Sequence, residues 1–420
     1  MGRSKILILG VKITEISLIL RPISEKRHGT ARHATRDRPV SRVPKSRVKR
    51  NMTVNDILKC ITEVAPLQWQ ESYDNAGLQV GDLNAEAHKA LVCLDITEEI
   101  VDEAIAKDCD VIVSHHPLIF KGLKHLTPTN YIERAVMKAI KHDIAMLSMH
   151  TNLDNSHLGV SRILAERLGL KDLHVLQPLE NQLKKVVVYA PLSAAETVRK
   201  AMFEAGAGCI GNYDSCSFNA QGQGTFKANG EAHPYVGEIR KVHFEDEVRI
   251  ETVVPKHALN QVLAAMLKVH PYEEVAYDVF ALENEFQQAG AGMVGELENP
   301  MEEIDFLQLV SVTLSSPCLR HSALTGRKIK KVALCGGSGS PFMGDALRQK
   351  ADAYLTADIK YHDFFIPEGR ILLVDGGHFE TEQFTKELIR GLIQKKFPTF
   401  AAVIAETNTN SVHYFVRIIK

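Results

Sequence analysis

Between residues 90 and 149 the chain alternates short apolar runs with segments of helical periodicity. The apolar runs predict strands at residues 91–96, 110–114 and 144–149, and the periodic segments predict helices at 98–107 and 131–142. Short connections between such elements favour a largely parallel sheet covered by helices.

The same alternation returns late in the chain. Apolar runs predict strands at residues 331–335, 353–356 and 371–375, and helices are predicted at about 342–351 and 381–395. The first of these strands runs into Gly336, Gly337, Ser338 and Gly339, which favour a tight turn or, alternatively, a backbone nest for an anion. We therefore expect a duplicated α/β domain with mixed, largely parallel sheets.

Residues 184–284 differ from both halves and contain an internal repeat. Each copy has a β-rich run, at 186–190 and 249–254, followed by a proline and a helix. Four residues recur at a constant offset of 64: Pro191, Val198, Ala201 and Met202 match Pro255, Val262, Ala265 and Met266. This repeat predicts an inserted ferredoxin-like α+β domain, with the α/β halves at 52–183 and 285–420.

Charge is distributed unevenly, although the formal net charge is −1. Met1 to Arg50 holds 14 Lys and Arg against three Asp and Glu, a net of +11 that leaves −12 for the rest. The acidic body argues against a nucleic-acid-binding role. Residues 1–51 are expected to be a disordered basic leader. A transit peptide, a nucleic-acid-binding tail and a misassigned start before Met52 remain alternatives.

The seven cysteines contain no CxxC pair, which favours a reducing compartment and hence a cytoplasmic location. The apolar run at residues 6–11 is far shorter than the ~20 residues that cross a bilayer. We expect no membrane partner.

Several chemically active side chains follow predicted strands, where ligands bind in open α/β sheets. Any one of them alone is more often a surface or hydrogen-bonded residue than a ligand, so their joint placement carries the prediction. They are His115, His116, His150, Asp154, His378 and Glu382.

Three imidazoles and two carboxylates of this set, namely His115, His116, His378, Asp154 and Glu382, suit a dinuclear metal site. Two divalent ions so held generate a hydroxide nucleophile near neutral pH, which indicates hydrolysis. The donor set accepts zinc, iron or manganese. Asp358, Lys360 and His362 follow the strand at 353–356 and either line the same cleft or form a solvated loop.

Six ordered motifs, at residues 74–81, 114–117, 150–154, 335–339, 358–362 and 377–382, resemble those of the Nif-three-like family, often labelled GTP cyclohydrolase 1 type 2 homologues. The resemblance covers about residues 52–420. It implies a duplicated α/β fold whose two divalent metals are held by the same five side chains. It also implies that residues 184–284 are the PII/CutA-like insert of the longer bacterial members, and that the chain forms a homohexameric ring around an interior cavity.

The first functional hypothesis is a metal-dependent hydrolase acting on a small, nucleotide-like substrate. In a GTP cyclohydrolase reaction, hydroxide attacks purine C8, the ring opens and formate leaves. His150 or His362 would transfer protons, because imidazole titrates near neutral pH. The alternative is a metal-containing regulatory or adaptor assembly whose insert binds an effector, and a third hypothesis is a metal chaperone.

Overall fold

Residues 51–415, the part of the chain that the computed structural model describes, form three β-sheets with helices packed on them. The helices are α1 (Val54–Thr62), α2 (Glu98–Ala106), α3 (Tyr131–Lys141), α4 (Thr151–Asp154), α5 (Val160–Arg167), α6 (Ala195–Glu204), α7 (Leu259–Val269), α8 (Glu303–Leu314), α9 (Met343–Arg348), α10 (His378–Glu382) and α11 (Thr385–Lys396). Residues 1–50 of the predicted leader lie outside the described part.

The strands are β1 (Gly77–Val80), β2 (Lys89–Cys93), β3 (Val111–Ser114), β4 (Ala145–Ser148), β5 (Lys171–Pro178), β6 (Leu183–Pro191), β7 (Phe218–Lys227), β8 (Val242–Pro255), β9 (Tyr277–Leu282), β10 (Gly290–Met301), β11 (Arg320–His321), β12 (Ile329–Leu334), β13 (Ala353–Thr356), β14 (Leu372–Asp375) and β15 (Ala401–Ile404).

The first sheet has the order β1-β4-β3-β2-β15, and only its β1–β4 pair is antiparallel. Alternate residues of its central strands enter two cores. Val92 and Val113 pack with α1 and α11, whereas Leu91 and Ile112 pack with α2 and α3. Because both faces of the sheet are buried, almost every residue of these strands is apolar.

The second sheet has the order β11-β14-β13-β12-β10-β5. Strands β12, β13 and β14 run parallel, while β5, β10 and β11 pair antiparallel. The expected mixed α/β fold is therefore confirmed, with more antiparallel pairing than the apolar runs indicated. Strand β5 joins the second sheet and β15 joins the first, so each sheet includes a strand from the other half of the sequence.

The third sheet, β7-β8-β6-β9, is antiparallel throughout and carries α6 and α7. The repeated residues occupy equivalent places in its core. Val198 and Met202 of α6 and Val262 and Met266 of α7 are all fully buried. The internal repeat in the sequence thus corresponds to two helices that cover one sheet.

Candidate metal centre

The five predicted metal ligands lie at the carboxyl ends of strands in two sheets. His115 and His116 follow β3, and Asp154 ends α4, which follows β4. His378 and Glu382 lie four residues apart on α10, which follows β14 of the second sheet. The helix begins at His378 rather than at residue 381, so both side chains share one helical face.

Glu382 lies between imidazoles that come from both sheets. Its Oε2 is 2.9 Å from His116 Nε2 and 3.1 Å from His378 Nε2, while its Oε1 is 3.7 Å from His115 Nε2. The two Nε2 atoms of His116 and His378 are 3.3 Å apart. Side chains separated by 262 residues in sequence therefore meet around one buried carboxylate.

Besides Glu382 Oε2, two further buried atoms at this place lack a hydrogen-bond partner among the described residues: His115 Nε2 and Asp154 Oδ1. They lie 3.6 Å apart. Unpaired buried polar atoms are rare because each one costs the free energy of lost hydration. A cation between them would satisfy both, and the ligand atoms of His115, His116 and Glu382 all lie within 4.8 Å of one another. These residues therefore fit a metal ion.

The imidazoles are oriented through their other ring nitrogen. His115 Nδ1 donates to the Met149 carbonyl at 2.7 Å. Asp95 Oδ1 is 2.7 Å from His116 Nδ1, and Asp358 Oδ2 is 2.6 Å from His378 Nδ1. Such contacts are typical of metal-binding histidines, because they leave Nε2 free for the ion.

Asp95 was missed in the sequence analysis, although it falls at the end of the predicted strand 91–96. Its position after β2 is the same strand-end signal that identified His115. Asp358 was placed near the cleft, and the structure gives it a specific partner in His378.

The electrostatics of the site favour positive charge. Burial opposes the charged form of His116, yet hydrogen bonds to Asp95 and Glu382 raise its pKa to about 10. His378 follows the same pattern, because Glu382 and Asp358 overcome burial and raise its pKa to about 9. Glu382 is buried, but the surrounding imidazoles hold its pKa well below the usual range.

The glycine turn at residues 336–339 leaves space for the Glu382 side chain. Gly337 has φ +61°, and a Cβ there would lie 2.1 Å from Glu382 Oε1. The Gly337 and Gly339 N–H groups donate to the hydroxyls of Thr381 and Thr356. Of the two interpretations left open above, the structure supports the tight turn.

His150 lies beside the cluster, and its Nδ1 is 2.8 Å from Asp74 Oδ1. Its ring centroid is 5.4 Å from those of both His115 and His116. His362 lies on the exposed turn Tyr361–Phe365 and contacts the rings of those two residues. Proton transfer by either histidine stays a prediction.

A cavity of about 440 Å³ adjoins the cluster, and His116 and His378 form part of its wall. Arg320 lies on the same wall, paired with Asp375. The segment 409–414 forms another wall, where Thr409 Oγ1 donates to Asp95 Oδ2 at 2.7 Å. The candidate centre is therefore accessible to a small molecule.

Comparison with known proteins identifies relatives across this whole region. The chain is 39% identical over 363 residues to the GTP cyclohydrolase 1 type 2 homolog of Bacillus subtilis (strain 168), covering 84% of this chain and 96% of the relative. The homolog from Halalkalibacterium halodurans is 39% identical over 327 residues, covering 77% and 87%.

Solved structures agree with the sequence relatives. A Bacillus cereus protein related to NIF3 superposes with a TM-score of 0.77 at 36% identity, covering 87% of this chain and 100% of that one. A Staphylococcus aureus protein superposes with a TM-score of 0.70 at 30% identity, covering 87% and 99%. Among residues 51–415, no helix has the length and apolar character needed to span a membrane. The family model of Duf34/NIF3 (NGG1p interacting factor 3) matches residues 52–411, and the chain belongs to this family.

Proposed function

We propose that this protein is a divalent-metal-dependent hydrolase acting on a small, nucleotide-like substrate. The observation that carries the proposal is the pair of unpartnered buried atoms, His115 Nε2 and Asp154 Oδ1, in a cluster whose His116 and His378 line an open cavity. A purely structural cluster would be expected to pair such atoms internally. A cation would satisfy both atoms, and His116 and His378 connect the cluster to the adjoining cavity.

Two cations per chain suit the arrangement, with zinc, iron or manganese as candidates. Glu382 offers Oε1 toward His115 and Oε2 toward His116 and His378, so these four side chains would hold the cations together. Asp154 would complete the site next to His115. When bound, the cations activate water and stabilise a developing negative charge.

The chain's own residues would then position the substrate and move protons. Asp74 holds His150 through Nδ1, which leaves Nε2 available to accept or donate a proton. Arg320 lies on the cavity wall, paired with Asp375, and its guanidinium would contact a phosphate group of the substrate. Purine ring opening with formate release, as in GTP cyclohydrolase, is the reaction we propose, in line with the printed name of the relatives.

The test combines metal analysis with formate release from a panel of nucleotides. The wild-type chain should carry about two metals and turn over at least one nucleotide. His115→Ala/His378→Ala should lose both properties, whereas His88→Ala/His142→Ala, which changes exposed histidines, should keep them. Unchanged metal content in the first variant would refute the site assignment.

The proposal also covers the domain organisation, the assembly and the location of the protein. We infer a ferredoxin-like, PII/CutA-like insert at residues 184–284 between α/β halves at 52–183 and 285–420. We also propose a homohexamer that works in the cytoplasm. Size measurement by light scattering tests the assembly, and a monomer at micromolar concentration would contradict it.

A second candidate function is a metal-containing regulatory or adaptor assembly. It is favoured by a separate cavity in the domain of the third sheet, whose lining includes no residue of the metal cluster. Metal retained at full occupancy without turnover on any nucleotide would favour this alternative over the hydrolase.

A further inference from the structure

The domain of the third sheet contains a cavity of about 480 Å³ that plays no part in the proposed metal chemistry. Phe226 at the end of β7, Tyr235 in the following loop and Tyr272 after α7 contribute aromatic walls. Glu247 of β8 and Glu274 contribute carboxylates to the same lining. Aromatic faces and acids thus meet around one space.

The three rings form a corner rather than a slot. Phe226 and Tyr272 have centroids 6.4 Å apart at an interplanar angle of 55°, and Tyr235 and Tyr272 are 6.2 Å apart at 50°. A flat base stacks best between parallel rings, whereas tilted rings present their faces to a rounded group. The electron-rich faces of tyrosine and phenylalanine attract cations.

Glu247 is fixed at the base of this corner. The Tyr272 hydroxyl donates to Glu247 Oε1 at 2.9 Å. Within residues 51–415 no lysine or arginine forms an ion pair with Glu247. Gly224 makes room for it, because a Cβ at that position would lie 2.2 Å from Glu247 Oε2. A glycine inside a strand commonly marks such a close approach.

The charge of the lining favours the same ligand class. The lining contains three acidic side chains, Glu247, Glu273 and Glu274, and one basic side chain, Lys227. Glu273 already accepts the His233 N–H at 2.7 Å, which shapes the loop that forms the wall. A negative, aromatic-lined cavity of this volume suits a small organic cation and disfavours phosphates.

We propose that this cavity binds an alkylammonium group, most favourably a trimethylammonium, against Phe226, Tyr235 and Tyr272 with Glu247 as counter-ion. A free metabolite and a methylated lysine side chain share this chemistry. The proposal is independent of the metal-dependent activity, and it assigns the inserted domain a recognition role.

The test is calorimetric titration of the full-length protein with choline and with 3,3-dimethylbutan-1-ol, its neutral isostere. Choline should bind at least about tenfold more tightly, because only it carries charge. Glu247→Gln should remove this preference, and Tyr235→Ala should weaken choline binding about fivefold. Glu204→Gln and Tyr213→Ala, which change exposed residues outside the cavity, should leave it intact.

A peptide with trimethyllysine, compared with the same peptide with unmodified lysine, separates the two sources. Tighter binding of the methylated peptide than of choline identifies a protein ligand, and the reverse order identifies a metabolite. Equal affinity for choline and its isostere would overturn the proposal. So would the absence of binding by choline, tetramethylammonium and the methylated peptide up to about 10 mM. Thermal melting of each variant establishes that it is folded.

Discussion

At the scale of single residues, we expect Glu382 to determine whether the cluster can hold a metal. Its carboxylate is the shared neighbour of His115, His116 and His378, and only 4% of its side chain is exposed. Glu382→Gln keeps the shape but removes the charge that offsets the cations. We expect bound metal to fall from about two ions per chain to one or none, as measured by mass spectrometry.

Glu380 provides the matched control on the same helix. It is also buried, but its Oε1 accepts a hydrogen bond from Asn410 at 3.1 Å, outside the group of candidate ligands. Glu380→Gln should therefore retain the wild-type metal content. Equal metal loss in both variants would show that α10, rather than the Glu382 carboxylate, is what matters.

Gly337 is the second residue on which the site depends. Alanine there would adopt a left-handed conformation and also collide with Glu382 Oε1. We expect Gly337→Ala to lower the free energy of unfolding by about 1–3 kcal/mol and to reduce metal affinity. Urea denaturation and metal titration measure the two effects.

The control for that substitution is Gly391 in α11, where an added Cβ has nothing within 4 Å. Gly391→Ala should raise stability by about 0.5–1 kcal/mol, because alanine loses less backbone freedom in a helix. A Gly337→Ala variant as stable as wild type would contradict the steric argument.

At the scale of elements, Asp74 ties the loop before β1 to the start of α4. Its carboxylate accepts hydrogen bonds from the Thr151 N–H and hydroxyl and contacts His150 Nδ1. Burial opposes its charge, but these hydrogen bonds lower its pKa from 3.8 to about 2. Because the folded pKa lies below the unfolded one, the stabilisation is complete above pH 3.8 and disappears as pH falls through about 2.

Asp74→Asn should therefore be less stable than wild type by about 1–2 kcal/mol at pH 7, with the difference shrinking between pH 4 and pH 2. Urea denaturation at several pH values measures this. Asp82→Asn, in an exposed turn, is the control and should show little change. A difference between the Asp74 variant and wild type that does not vary with pH would contradict the assignment.

The elements also show what the sequence can predict. Apolar runs predicted β3, β4 and β14 within a residue or two, because burial on both faces leaves a strong local signal. The pairing of β15 with β2 depends on packing across more than 300 residues and has no local signal. The contact between His116 and His378 is likewise a consequence of tertiary structure.

At the scale of the whole molecule, the candidate centre connects two sheets with separate cores. The strand-end rule indicated candidate residues within each sheet, because parallel strands direct their carboxyl ends to one edge. The contact between the two groups of residues follows from tertiary packing. The rule did not predict Asp95 and Asp358 as partners of the imidazoles, since their roles depend on side-chain geometry. The strand-end rule also did not predict the proposed alkylammonium-binding cavity, because its rings come from separate segments of the chain.

In the proposed function, a bound metal would link the first and second sheets. A ligand that binds only the folded chain stabilises it by RT ln(1 + [L]/Kd), which is about 3–4 kcal/mol at 100–1,000 times Kd. Removing metal with EDTA should therefore lower the melting temperature by several degrees, as measured by calorimetry. Re-addition of zinc or manganese should restore it. Glu382→Gln should show a smaller response to EDTA than the wild type, because it holds less metal. A wild-type melting temperature that is indifferent to EDTA while the metal is removed would mean that the ions do not hold the two sheets together.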